Sequence, residues 1–225
     1  MLVCIFLLSC MGDPKSDEAI TSEAENSVLP AVDGHQYFLP AGNHITWIGT
    51  KPTGRHSGTI RISQGLLTLD DHDNVVAARF TMDMKDIKVA DLQKDPDRHL
   101  KLTNHLKSED FFDVANHPVS RFELTEIQEY SVRDSLPEPE ETEFRIKDPN
   151  YFVTGNFSMR DTTLSISFPA RIDVREDSIL VRARFNIDRT LWGVSYRDEK
   201  NLENKLRDEF IHNKVNIGID LGLKK

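Results

Sequence analysis

The chain has 225 residues, 38% of them hydrophobic and 29% charged, with 11 Gly and 10 Pro. That length supplies one substantial core, and the composition excludes collagen-like and wholly disordered chains. The net charge of −9 denies the chain the basic footprint that phosphate-backbone binding needs, so nucleic acid is excluded as a partner.

Both cysteines, Cys4 and Cys10, precede Met11. Everything beyond them is thiol-free and can hold no disulfide, thiolate metal site or cysteine nucleophile. Residues 1–12 carry no charged side chain; they are too few for a transmembrane helix and suit the apolar region of a secretory signal. Leu7-Leu8-Ser9-Cys10 resembles a bacterial lipobox, in which cleavage before the cysteine frees it for acylation. Residues 1–9 are accordingly read as a lipoprotein signal peptide and Cys10 as the lipidation site. No Lys or Arg precedes the apolar run, a departure that a start codon placed too late would explain. Residues 10–34 carry Asp13, Asp17, Glu18, Glu23, Glu25 and Asp33 against Lys15 alone. Without apolar periodicity they read as an acidic, flexible tether to a domain spanning 35–225.

From about His35 the chain alternates with period two. Ile45/Trp47, Ile60/Ile62 and Leu67/Leu69 begin the pattern, and Val76, Ala78, Phe80, Met82 and Met84 extend it. Asp95-Pro96 is a helix cap and first turn, and Leu102 and Leu106 follow at i, i+4, so a short helix is predicted over about 96–107. Phe122/Leu124 returns to alternation. Residues 131–150, with Pro137, Pro139, Pro149 and four glutamates, read as an exposed acidic loop holding a short strand at 144–147. Then come Val153/Phe157/Met159, Leu164 to Val174, Ile179 to Ile187 and Val215 to Leu223, each with polar residues between. Such strands have one buried and one wet face, and short turns separate them, so the chain is all-β and antiparallel. Periodicity alone leaves barrel and sandwich open. With 8% aromatics and full charges on the polar face, an outer-membrane barrel is excluded.

The catalytic signatures are missing: no G-x-S-x-G, Walker-type phosphate loop or H-E-x-x-H occurs. Gly54-Arg55-His56-Ser57-Gly58 reads as a tight turn into a strand. Gly218-Ile219-Asp220-Leu221-Gly222 sits on an alternating strand, without helix-dimer meaning. His99 and His105 fall on different helix faces, and His44 and His56, flanking a hairpin, lack a local third ligand. No metal and no cofactor are expected. Trp47 and Trp192 are read as plugs at the ends of the core, and Phe111-Phe112 as the mouth of an apolar pocket.

Four stretches are similar to the YceI-like family of secreted lipid- or polyisoprenoid-binding proteins. They are Ile45-Thr46-Trp47 through Ile60; Phe80-Thr81-Met82-Asp83-Met84 with Ile87; His105 through Val114 ending at His117-Pro118; and Phe185 through Gly193. The resemblance runs from about His35 to Leu223, and the acidic insertion and the lipobox depart from it. It implies an eight-stranded, lipocalin-like antiparallel barrel with a short helix and an apolar tunnel for an isoprenoid or fatty chain, and no catalytic residues. An eight-stranded barrel is about the size that encloses one small ligand. The expected lining is Phe80, Met82, Phe111, Phe112, Phe122, Leu124, Val153, Phe157, Ile166, Phe168, Ile172, Val181, Phe185, Ile217 and Ile219. The expected role is binding, transport or storage of a long apolar lipid by a lipid-anchored envelope protein facing the periplasm or cell surface. Two alternatives stand beside it: a lipid-modifying enzyme using His56, His105 or Asp110, and an empty barrel docking to a membrane redox partner.

Overall fold

The computed structural model describes residues 12–25, 34–131, 142–200 and 210–225. The lipobox with Cys10 lies outside them, as do residues 132–141 of the acidic insertion. The elements are β1 (Ile20–Glu23), β2 (His35–Phe38), β3 (His44–Lys51), β4 (Gly54–Leu69), β5 (Val75–Val89), α1 (Pro96–Lys107), β6 (Val119–Glu129), β7 (Tyr151–Met159), β8 (Thr162–Arg175), β9 (Ser178–Asp188), a single 3₁₀ turn at Arg189–Trp192, and β10 (Lys214–Lys224). Strands β3 to β10 pair antiparallel in sequence order, and β10 returns to β3. The sheet therefore closes into the eight-stranded barrel that the resemblance implied.

Alternation explains the core. Ile179, Ala183, Phe185 and Ile187 on β9 are buried, as are Ile166, Phe168, Ala170 and Ile172 on β8. Curvature comes from register shifts between β4 and β5 at Ile60/Arg61, Ile62/Gln64 and Thr68/Leu69, where bulges bend and twist long strands around the barrel. Close approach requires glycine at Gly58: a β-carbon there would meet the Lys88 carbonyl oxygen at 1.8 Å and the Trp47 ring at 2.5 Å. Trp47 lies across this bare backbone.

The helix begins where expected. Asp95 accepts from the Arg98 backbone N–H at 3.1 Å, and Pro96 opens the first turn, satisfying one of the free donors there. Leu106 is its buried residue. Beyond it the chain folds back through Phe112 N–H to Leu106 O and Val114 N–H to Lys107 O. Arg160 donates to the carbonyls of Phe111 and Gly193 at 2.9 and 2.8 Å, fastening this loop to the barrel end.

Two expectations are corrected. Residues 13–25 do not form a flexible tether: β1 pairs with Leu164–Ser167 of β8, and Asp17 O and Ala19 N–H bond to the backbone of Asn186 on β9. β8 and β9 pair directly only over Ala170–Arg175 and Ser178–Ala183, so the N-terminal segment fills the seam where they part. Composition hid this because the segment docks through backbone and polar groups, with no apolar stripe. Nor is there a strand at 144–147. Those residues turn over the same segment: Arg145 clamps Asp17 at 2.6 Å, Thr142 donates to Lys15 O at 2.6 Å, and Ser16 donates to Phe144 O. Asn186 and Asn216, assigned to the wet face, are in consequence buried. Their amides are satisfied by one another at 3.0 Å and by Pro14 O and Phe144 O, as buried polar groups require.

Candidate functional site

Two chambers lie inside the barrel. The upper one, about 110 Å³, is walled by apolar side chains alone. Phe80, Met82, Phe122, Leu124, Val153, Phe157, Ile166, Phe168, Ile172, Val181, Phe185, Ile217 and Ile219 all stand on its wall. Alternation had placed them there because adjacent in-facing residues of a closed sheet converge on one axis. The same rule, applied to every strand, would also have supplied Ile62, Leu67, Ala78, Ile127 and Leu221, which share the wall. Phe168 stacks on Phe185 at 4.1 Å between ring centroids, and Phe122 leans on Phe168 at 5.9 Å. A void of this size is smaller than the roughly 150 Å³ cavity that accepts benzene. A long chain enters only if these rings swing aside.

The lower chamber is about 300 Å³ and shares Ile45, Met82, Phe157, Ile187 and Ile217 with the upper one. Phe111 and Phe112 line it, together with Trp47, Thr50, Lys51, His56, His105, Ser120, Arg189 and Tyr196. His105 packs edge-on against Phe111 and Tyr196 at 5.0 and 4.6 Å. The Arg189 guanidinium donates to the carbonyls of Val194, Ile211 and His212 at 2.6, 3.0 and 3.3 Å, and burial pushes its pKa down. Sequence reasoning had singled out Trp47, His56, His105, Phe111 and Phe112 but not Thr50, Lys51, Ser120, Arg189 or Tyr196, which the closed barrel brings to them from distant parts of the chain.

The histidines part company. His44 is opposite Arg61 and His56 is opposite Gly49, so the two hairpin histidines do not meet. His56 bonds Asp91 at 2.7 Å and His105 bonds Asp110 at 3.1 Å. Burial alone would raise the Asp91 pKa, but the Ser57 backbone N–H and His56 outweigh it and hold the carboxyl below its ordinary range. Asp13, Glu199 and His212 bring ligand-type atoms within 4.8 Å of one another. Lys214 Nζ lies 4.0 Å from the Asp13 carboxylate, and burial pushes the Asp13 pKa up. This cluster ties the N-terminal segment to the barrel rim.

A closed antiparallel eight-stranded barrel around an apolar cavity defines a lipocalin-like protein. Residues 37–223 match the model of the YceI-like domain, and the chain belongs to that family. Among solved structures, BcnA of Burkholderia cenocepacia superposes with a TM-score of 0.57 at 15% identity, over 80% of this chain and 94% of that one. A polyisoprenoid binding domain from Saccharophagus degradans, implicated in plant cell wall breakdown, gives 0.55 at 8% identity, over 85% and 99%. These likenesses show the fold. No curated protein matches the sequence.

Proposed function

We propose that the protein is a non-enzymatic carrier or store for a long apolar lipid, a polyisoprenoid or fatty chain, held at the bacterial envelope by an acyl anchor on Cys10. The observation that carries this reading is the upper chamber, whose wall offers a ligand nothing but hydrocarbon and aromatic surface. Each methylene buried there contributes about 0.8 kcal/mol, so affinity needs no special chemistry. The family, and the polyisoprenoid-binding description of the Saccharophagus domain, support the same ligand class.

A lipid-modifying enzyme is the second reading. Its support is that His56 and His105, each bonded to a carboxylate, both line the lower chamber. Solvent extraction of protein purified without detergent from native envelopes, followed by mass spectrometry, tests the proposal. A stoichiometric long-chain lipid is expected, recovered unchanged after prolonged incubation. A clean extract favours an empty barrel, and a chemically altered lipid favours the enzyme.

A further inference from the structure

The N-terminal segment is fastened at one particular end of the barrel. Asp13 reaches His212 Nδ1 at 3.1 Å and Lys214 Nζ at 4.0 Å, and Pro14 O accepts from the buried Asn186 amide at 2.8 Å. Lys214 is the first residue of β10 and pairs with Asp188, the last of β9. Beside them Ile187, Ile211 and Val215 line the lower chamber. Arg197 on the same wall is exposed, so the chamber reaches the surface at this end. Exposed apolar side chains do not single the end out. Leu191 is exposed here, in the 3₁₀ turn after β9, but Val174 is exposed at the opposite end, where β8 turns into β9. Chain length decides instead. Asp13 is three residues from Cys10, and an extended chain covers at most about 3.6 Å per residue, so the two lie within about 11 Å of one another.

We infer that the docked segment is a short strap that seats the lower end of the barrel on the bilayer holding the Cys10 acyl chain, with the lower chamber turned to the membrane surface. This rests on the carrier reading with its acyl anchor. Acyl chains buried in the bilayer hold their cysteine at the headgroup boundary, and Asp13 then stands close above it. A flexible tether over 10–34 would average about 25–30 Å end to end and leave either end of the barrel free to face the lipid. The opposite end is held away from the membrane. Val174 pairs with Ile179 near the start of β9, and β9 is 11 residues long. At the usual strand rise and barrel tilt, that length carries Val174 about 25 Å further from the anchor. A long apolar chain can then pass between bilayer and chamber with little of it exposed to water, the unfavourable step for such a ligand.

The test uses the acylated mature protein in vesicles of phosphatidylethanolamine and phosphatidylglycerol that carry a nitroxide on the headgroup. The chain beyond Cys10 has no cysteine, so Leu191→Cys or Val174→Cys supplies a single thiol for a fluorophore, and both positions are exposed. The label at position 191 should be quenched and the label at 174 spared. Inserting about 20 glycine and serine residues after Gly12 should abolish that difference while the protein stays on the vesicles, because a long flexible linker no longer fixes the orientation. Equal quenching at the two positions, or stronger quenching at 174, overturns the orientation. Quenching at 191 that survives the insertion overturns the strap. A mature N-terminal peptide without acyl mass marks the failure of the anchor itself, and the strap falls with it.

Discussion

Phe168 and Phe185 stack face to face, ring centroids 4.1 Å apart and planes 12° from parallel, just beyond the last direct pairing of β8 with β9 at Ala170 and Ala183. Inside the barrel this stack covers the seam. Outside, the N-terminal segment covers it through Asn186. The site and the closure of the fold thus share one line of contact.

Phe185→Ala should remove the inner half of that closure. It is expected to destabilise the lipid-free protein by about 3–5 kcal/mol, the usual result of emptying a buried aromatic site, while admitting bulkier chains. Denaturant unfolding and a ligand series of increasing width check both parts. Unchanged stability would mean that the stack holds nothing together.

Asn186→Ala acts on the outer half. The amide donates to the buried Pro14 O at 2.8 Å and accepts from Asn216 at 3.0 Å; Asn216 keeps Phe144 O and Phe185 O, so the loss strands the Pro14 carbonyl and should cost about 1–3 kcal/mol. Release of the segment is read by limited trypsin digestion, which should cut after Lys15 faster than in the parent protein. Arg145→Ala, which breaks the 2.6 Å contact with Asp17, should push in the same direction. A tether would show no change with either substitution.

Asp91 supplies a pH dependence. Its pKa is lowered in the folded protein, so its ionisation stabilises the fold above the unfolded value near 3.8. That contribution is lost as pH falls through the folded pKa, which lies below that value. Thermal melts of the parent should fall more steeply than those of Asp91→Asn as pH drops below about 3.8. Parallel profiles would sink this assignment.

Cys10→Ala should abolish palmitate labelling and leave uncleaved or soluble material in place of membrane-bound protein. Unchanged membrane fractionation would show that the lipobox reading is wrong.

The strands were legible because they are long and half-buried, whereas their closure into a barrel was implied by the family resemblance. Ile179 to Ile187 and Val215 to Leu223 point alternate residues inward, and period two survives intact in the sequence. The helix was legible for a different reason, since Asp95-Pro96 is a local signal. What could not be read were contacts made by polar groups far apart in the chain. Asp13 reaches His212 at 3.1 Å, and Asn216 reaches Phe144 O at 3.2 Å, with nothing local to announce either. Ser120 and Thr50 look like ordinary strand residues until the barrel closes around them. The upper wall was therefore foreseeable, and of the lower one only Trp47, His56, His105, Phe111 and Phe112 were singled out.

The most direct test of the account is where a bound lipid lies. A long-chain prenyl probe carrying a diazirine in its tail, photolysed on the intact protein and mapped by peptide mass spectrometry, should label Phe122, Phe168 and Phe185, and unlabelled lipid should suppress that labelling. Crosslinks confined to the exterior, with these in-facing residues untouched, would contradict the claim that the barrel encloses its lipid.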